Sequence, residues 1–211
     1  MLDLGCGAGE PIAGWLIEKG YTVIGVDFAL SMLELARNRW PNGDWRHCDM
    51  RALDFPERFD GIVAWDSFFH LTPDEQISCL PLISRHLRPG GTLMLTVGPH
   101  AGETTGTVGG SRVYHASLSL ATYTELLAEG GLELRTFSAD DPACGHHTGA
   151  LENVNGVPSS AGSTELANSA STELVNPEAS QKRFCPDSPC GPGQSSFLSY
   201  WGRELVGPVS Q

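Results

Sequence analysis

The residues that could bind a small ligand begin at the third position of the chain. Gly5, Gly7 and Gly9 alternate directly after an apolar strand end that carries Asp3. Glycine has no Cβ, so the backbone at these positions can come close to a bound molecule where a side chain would clash. The helix predicted to follow presents its N-terminus at the same place. This stretch therefore predicts a ligand-binding loop.

Asp27 is a second candidate ligand-binding group. It follows the β-branched run 21–26, about twenty residues beyond the glycines, where a carboxylate can accept both hydroxyls of a ribose. The alternative is that Asp27 caps the helix predicted to begin near residues 30–31, and one carboxylate can do both.

The fourth predicted strand covers residues 59–65. The connection that follows it, residues 66–71, is unusually aromatic for a surface loop. Aromatic residues at the carboxyl edge of a parallel sheet are typical of a pocket wall, although Trp65 and Phe68 taken singly also suit an ordinary core. His70 could take a proton from a hydroxyl or an amine, because an unperturbed imidazole has a pKa near 6.5. The alternative is a histidine that only satisfies a backbone carbonyl.

The elements that must position these groups alternate between strand and helix as far as residue 137. This alternation predicts an α/β fold with a mostly parallel sheet. Thr72, Pro73 and Glu75 form a helix start with a capping box. The helix over 31–40 is predicted to turn Met32, Leu33, Leu35 and Ala36 inward.

The spacing of Asp3, Gly5, Gly7 and Gly9 resembles motif I of the class I S-adenosylmethionine (SAM) dependent methyltransferases. The turn 87–91, Leu-Arg-Pro-Gly-Gly before an apolar strand, is a second feature typical of that family. A nicotinamide dehydrogenase is disfavoured, because Glu10 stands where its fingerprint requires glycine or alanine.

The resemblance implies a three-layer sandwich around a doubly wound, Rossmann-like sheet and SAM as the cofactor. It also assigns roles residue by residue. In the family the acid at the end of the third strand faces the adenine amino group and the next residue offers a backbone contact. Asp49 and Met50 take these roles, with turn capping as the alternative for Asp49. If the acceptor is a hydroxyl, His70 is the first choice of base and His115 the second. The residues expected to hold the cofactor are Asp3, Gly5, Cys6, Gly7, Gly9, Asp27, Phe28, Asp49, Met50 and Trp65.

The last third of the chain departs from the family pattern. The seventh, antiparallel strand is expected to be weak or missing, because the residues after Thr148 are poor strand formers. We predict a methyltransferase domain over 1–148 and a low-complexity, disordered tail over 149–211, which is rich in Ser, Gly, Pro, Asn and Glu. Residues 99–113, rich in Gly and Thr, are predicted to be a flexible insertion of the kind that covers substrates. The first strand is short and lacks the helices that precede it in the family, so we expect either a truncated product or a departure from the family pattern.

The composition limits the kinds of molecule that the chain is expected to bind. The net charge of −12 disfavours a nucleic-acid substrate, since such binding needs Lys and Arg to neutralise phosphates. The six cysteines are scattered, which indicates a reduced, cytoplasmic protein, and no apolar run is long enough to cross a membrane. Cys185 and Cys190 could hold a metal but lack a second ligand pair, so no metal is expected.

The function predicted from these features is methyl transfer from SAM to a small-molecule acceptor by in-line displacement. Asp66-Ser67-Phe68-Phe69 replaces the [DNS]-P-P-[YF] signature of enzymes that methylate base or amide nitrogen. The alternative is a cofactor-binding or partner-binding module without turnover, suggested by the missing N-terminal cover and the weak seventh strand. The acceptor and the oligomeric state are not specified by the sequence.

Overall fold

The structure, a computed structural model, describes residues 1–108, 110–139 and 150–154, the last five by their backbone. Its strands are β1 (Leu2–Leu4), β2 (Ile24–Asp27), β3 (Asp44–His47), β4 (Phe59–Ala64), β5 (Leu87–Thr96), β6 (Gly102–Val108), β7 (Ser111–Ser117), β8 (Glu133–Ser138) and β9 (Ala150–Val154). Its α-helices are α1 (Ile12–Glu18), α2 (Leu30–Arg39), α3 (Pro73–Arg85) and α4 (Leu120–Glu129).

Seven strands form one sheet in the order β3-β2-β1-β4-β5-β9-β8. The first five of these strands pair in parallel with one another. The strand order reverses between β1 and β4, and in doubly wound sheets ligands bind beyond the carboxyl ends of the strands at such a reversal. The residues that follow β1 and β4 therefore lie at the edge where a ligand is expected, and the predicted α/β class is confirmed.

The core consists of two apolar clusters on opposite faces of the sheet. Successive side chains of a strand point to opposite faces, and Ile62 and Val63 accordingly belong to different clusters. Leu16 of α1 and Leu33 of α2 pack in the cluster of Val63, whereas Ile83 of α3 and Leu127 of α4 pack in that of Ile62. Helices therefore cover both faces, which gives the predicted three layers.

The seventh strand of the sheet is present, contrary to the prediction that it is weak or missing. β9 runs antiparallel to both β5 and β8, with five paired residues against β5. The local sequence is a poor strand former, but a strand inserted between two others gains backbone hydrogen bonds on both sides, and this tertiary context outweighs propensity. The sheet thus extends to Val154, beyond the predicted boundary at 148, and the rest of the predicted tail lies outside the described residues.

The predicted flexible insertion is also more regular than expected. β6 and β7 form a separate antiparallel hairpin that pairs Gly102 with Ser117 and Val108 with Ser111. Thr and Tyr suit strands, and the glycines fall at its ends and at one interior pair. The hairpin stands at the carboxyl ends of β4 and β5 and forms one wall of the cavity described below.

Two helix predictions differ in outcome. The capping box at α3 is confirmed, since Thr72 Oγ1 accepts from the Glu75 N–H at 3.3 Å and Glu75 accepts from the Thr72 N–H at 2.9 Å. On α2, Leu33 and Ala36 are buried, but Met32 and Leu35 are 42% and 46% exposed, so their predicted inward orientation is wrong. Across the parts of the chain described by the structure, no helix has the length and apolar character needed to span a membrane.

Candidate active site

The glycine loop joins β1 to α1, and all three of its glycines have positive φ angles, 74° at Gly5, 54° at Gly7 and 82° at Gly9. The amide of Gly5 donates to the carbonyl of Val26 at 2.8 Å, and that of Gly9 donates to Cys6 at 2.9 Å. These amides are thus used within the protein. A ligand would therefore contact the loop at its α-carbons. Glycine still suits this contact, because it has no Cβ that would keep the ligand away.

The three glycines differ in what surrounds them. A Cβ added at Gly5 would lie 2.3 Å from Cβ of Ser67, whereas a Cβ added at Gly7 would meet nothing within 4 Å. Gly5 is therefore required by internal packing. Gly7 borders open space, and a cradle of this kind beside a carboxylate fits the predicted cofactor.

Asp27 lies at the end of β2, directly beside the glycine loop. Its Oδ2 accepts from the Gly7 N–H at 2.8 Å and its Oδ1 accepts from the Ala29 N–H at 2.7 Å. The second bond lies in the turn before α2, but the N-cap of that helix is Ala29 and no side chain caps it, so the capping role given as the alternative from the sequence is not found. Each carboxylate oxygen has a further lone pair, so Asp27 can hold the loop and also accept ligand hydroxyls.

Asp3 is buried, with 2% of its surface exposed. It accepts a hydrogen bond from the Ala13 N–H in the first turn of α1. Burial raises its pKa to about 7, and the nearby charge of Asp27 acts in the same direction. Asp3 therefore holds the first turn of α1 in place through this hydrogen bond.

Three other predicted cofactor residues are placed very differently. Cys6 and Trp65 are each 5% exposed and pack in the same apolar cluster as Trp45 and Val63, so their side chains have almost no surface to offer a ligand. The assignment of Cys6 and Trp65 to the cofactor stays a prediction. Phe28, by contrast, is 67% exposed and its ring lies 5.8 Å from that of His47.

Asp49 and Met50 follow β3. The Asp49 carboxylate accepts hydrogen bonds from the Arg51 guanidinium at 2.9 and 2.6 Å. It also accepts from the Arg51 backbone N–H at 3.0 Å and so caps a short 3₁₀ turn. The hydrogen bonds from Arg51 hold the pKa of Asp49 below its usual range. The Met50 side chain reaches the loop, with its Cε 3.5 Å from a Cβ placed at Gly5. The structure thus brings Met50 to the glycines, while the Asp49 carboxylate is engaged by Arg51.

A cavity of about 780 Å³ lies beyond the carboxyl ends of β4 and β5, under the β6–β7 hairpin. Of the residues predicted to act chemically, His70 and His115 line it, and the predicted cofactor residues do not. Its lining residues are Asp66, Phe69, His70, Thr96, Val97, Gly98, Pro99, His100, Ala101, Gly102, Glu103, Thr104, Val113, His115, Ala116 and Ser117.

The two histidines form an aromatic cluster with Phe69. The ring centroids of His70 and His115 are 5.2 Å apart, and Phe69 lies 4.6 and 4.8 Å from them. His70 Nδ1 lies 3.0 Å from the carbonyl oxygen of Tyr114. A carbonyl only accepts, so Nδ1 carries the hydrogen and Nε2 of neutral His70 keeps its lone pair. His70 thus makes the carbonyl contact named as the alternative to catalysis and still has a nitrogen able to take a proton.

Asp66 lines the same cavity and was not among the residues predicted from the sequence. It has a φ of 51°, uncommon for a residue other than glycine, and its N–H donates to Thr96 Oγ1 at 2.7 Å. Strained backbone of this kind occurs preferentially at functional sites. The sequence feature that could have identified Asp66 is its position directly after a predicted buried parallel strand.

Ser67 connects the loop to the cavity. Its Oγ donates to the carbonyl of Leu4 at 2.6 Å, and its Cβ fills the space left by Gly5. Since the adjacent residue Asp66 lines the cavity, the glycine loop and the cavity meet at these two residues. The arrangement can hold a cofactor along the loop and a second molecule beside it.

Comparisons with known proteins agree with this geometry. Residues 1–91 match the family model described as a methyltransferase domain. The chain is 38% identical over 97 residues to a trans-aconitate 2-methyltransferase of Azoarcus sp. (strain BH72), covering 45% of this chain and 37% of that protein. It is 32% identical over 149 residues to a 27-O-demethylrifamycin SV methyltransferase of Amycolatopsis mediterranei (strain S699), covering 63% of this chain and 53% of that protein. The chain thus spans between about one third and about one half of these relatives.

The fold is also that of solved methyltransferases. An amino pentose methyltransferase from Micromonospora echinaspora, solved with SAM bound, superimposes with a TM-score of 0.59 at 20% identity, covering 74% of this chain and 82% of that chain. The resemblance to the class I SAM-dependent methyltransferases, stated above from the sequence, is confirmed.

Proposed function

We propose that this chain, whose first 91 residues belong to the methyltransferase domain family, transfers the methyl group of SAM to a small-molecule acceptor. The hydrogen bond between the Gly7 N–H and the Asp27 carboxylate carries the proposal. This bond holds the glycine loop against Asp27, the carboxylate suited to a ribose. The loop follows β1, where the strand order of the sheet reverses.

The cofactor would lie along the carboxyl ends of β1, β2 and β3. Gly7 leaves room for it, Asp27 accepts from its ribose hydroxyls, and Met50 packs beside Gly5. Phe28 and Asp49 flank the adenine, with Asp49 contacting the adenine amino group only where Arg51 leaves it a free lone pair. When bound, SAM supplies a methyl group made electrophilic by its sulfonium sulfur.

The acceptor would occupy the cavity under the β6–β7 hairpin. Its volume of about 780 Å³ suits a small organic molecule. His70 is proposed to take the proton of the acceptor at Nε2, because Nδ1–H is held by the carbonyl of Tyr114. The curated relatives carry the names of small-molecule methyltransferases, which supports this acceptor class.

Compartment and partners follow from the same features. Cys6, Cys48 and Cys79, the described cysteines, are all free thiols, which supports a cytoplasmic location. The acidic composition supports an acceptor other than nucleic acid.

Calorimetric titration of the full chain with S-adenosylhomocysteine (SAH), together with transfer of a radiolabelled methyl group from SAM, tests the proposal. Binding of SAH with transfer to a small molecule is the expected result. Absence of SAH binding by the folded chain would favour the partner-binding module, and SAH binding without methyl transfer would favour the cofactor-binding module without turnover.

A further inference from the structure

The carboxylates around the cavity are not balanced by Lys or Arg among the lining residues that the structure describes. Asp66 and Glu103 are the carboxylates that line it, and within the described residues no Lys or Arg lines it. A carboxylate in a partly buried cavity attracts a cation and repels an anion more strongly than it would in water. The cavity is therefore suited to a cation.

The two carboxylates are not equivalent. Glu103 Oε2 accepts from the Tyr114 hydroxyl at 2.6 Å. In the hairpin register Thr104 pairs with His115 and Glu103 pairs with Ala116, so Glu103 lies on the other hairpin face from His115, although both residues border the cavity. Asp66, at the carboxyl end of β4 beside the glycine loop, is the carboxylate closer to where a methyl group would be delivered.

The aromatic cluster supports the same class of ligand. Phe69 lines the cavity with its ring centroid 4.6 and 4.8 Å from those of His70 and His115, and the face of an aromatic ring attracts an ammonium group. Burial and the neighbouring His70 lower the pKa of His115, although Asp66 opposes this. His115 is thus neutral at neutral pH and adds no positive charge that would repel a cation.

We propose that the acceptor is a basic amine, bound as its ammonium form by Asp66 and deprotonated by His70. The inference rests on the proposed methyltransferase function and specifies its acceptor. The ammonium gives one proton to His70 Nε2, which frees the nitrogen lone pair. That lone pair forms the new bond to the methyl carbon while the carbon–sulfur bond breaks, and the electrons of the broken bond stay on sulfur, leaving SAH.

The test uses the full chain, tritiated SAM and three acceptors that share a hexose skeleton, glucosamine, glucose and glucuronate, with cyclohexylamine, cyclohexanol and cyclohexanecarboxylate as a second set. We expect label in the amines at least about tenfold above the matched alcohols and carboxylates, as one charge-assisted hydrogen bond provides. Equal or greater label in the alcohols or carboxylates would overturn the inference. SAH binding without label in either amine would also overturn it, whereas failure to bind SAH would instead refute the proposed function.

Asp66→Asn tests the ammonium contact itself. Asn has nearly the same shape and tolerates the positive φ of this position, so the backbone is preserved. We expect the KM of the labelled amine to rise at least about tenfold while the Kd of SAH changes less than about twofold. Asp54→Asn is the control, because the Asp54 side chain is 88% exposed and is not among the cavity residues. An unchanged KM for the amine in Asp66→Asn would contradict the assignment.

Discussion

Ser67 donates a hydrogen bond from Oγ to the backbone carbonyl of Leu4 at 2.6 Å, which ties the residues after β4 to the end of β1. The same side chain occupies the place that a Cβ at Gly5 would need. The glycine loop and the cavity under the β6–β7 hairpin are therefore coupled through one buried serine, and changes at Gly5 and Gly7 are expected to have different consequences.

Gly5→Ala should destabilise the fold. The new Cβ would lie 2.3 Å from Cβ of Ser67 and the residue would keep a φ of 74°. Overpacking and left-handed strain together predict a loss of about 2–4 kcal/mol in the free energy of unfolding, measured by urea denaturation. Ser67→Gly in the same chain removes the clash and should recover part of this loss. A double variant as unstable as the single one would contradict the packing argument.

Gly7→Ala should act on binding more than on stability. A Cβ there meets nothing within 4 Å, so only the left-handed conformation costs free energy, about 1–2 kcal/mol. The methyl group would occupy the open space proposed for the cofactor, and calorimetry should show SAH affinity reduced at least about tenfold. Unchanged affinity would place the cofactor elsewhere.

Asp27→Asn separates the two roles of this carboxylate. The amide NH₂ cannot accept, so either the Gly7 or the Ala29 N–H loses its acceptor, and stability should fall by about 1–3 kcal/mol. Weaker SAH binding alone would thus not prove a ribose contact. The deciding measurement compares SAH with its 2′-deoxy and 3′-deoxy analogues.

The original chain should prefer SAH over these deoxy analogues, and Asp27→Asn should lose most of that preference. Asp54→Asn, on an exposed side chain, should retain it. If Asp27→Asn discriminates between the ligands as well as the original chain does, the ribose assignment is wrong and Asp27 serves the loop alone.

Asp3 predicts an unusual dependence of stability on pH. Its pKa is raised by burial from 3.8 to about 7 in the folded chain, so the folded state binds more protons than the unfolded state between these values. The stabilisation is fully present below pH about 4 and is lost as the pH rises through about 7. Asp3→Asn, which cannot ionise, should show a flatter pH dependence of the free energy of unfolding over this range. An unchanged slope would show that Asp3 does not titrate as described.

His70→Gln should lower kcat. Gln can still donate a hydrogen bond but cannot take the proton of the acceptor, and loss of a general base costs about 10²–10⁴-fold. SAH binding should be unaffected, because His70 lines the acceptor cavity. Asp54→Asn, at an exposed side chain that does not line the cavity, is the control and should retain turnover. If the two variants lose turnover equally, His70 is not the base.

Much of the sheet could be predicted from the sequence because its signals are local. A parallel strand buried on both faces needs a continuous apolar run, and the α3 capping box needs only Thr72 and Glu75 three residues apart. The positive φ angles of Gly5, Gly7 and Gly9 are likewise encoded by residue type. The methyltransferase resemblance was available for the same reason, since it depends on short motifs in a fixed order.

Other features depended on contacts between distant parts of the chain. β9 forms because β5 and β8 supply partners on both sides, which its own composition does not indicate. Trp65 is buried among residues of other strands, and Met32 is exposed because no described element covers that side of α2. The pairing of Ser67 with Gly5 and of His70 with His115 likewise arises only on folding. The sequence thus determined the fold class and the loop, whereas tertiary packing decided which side chains face the cavity, because orientation is set by neighbours that are far away along the chain.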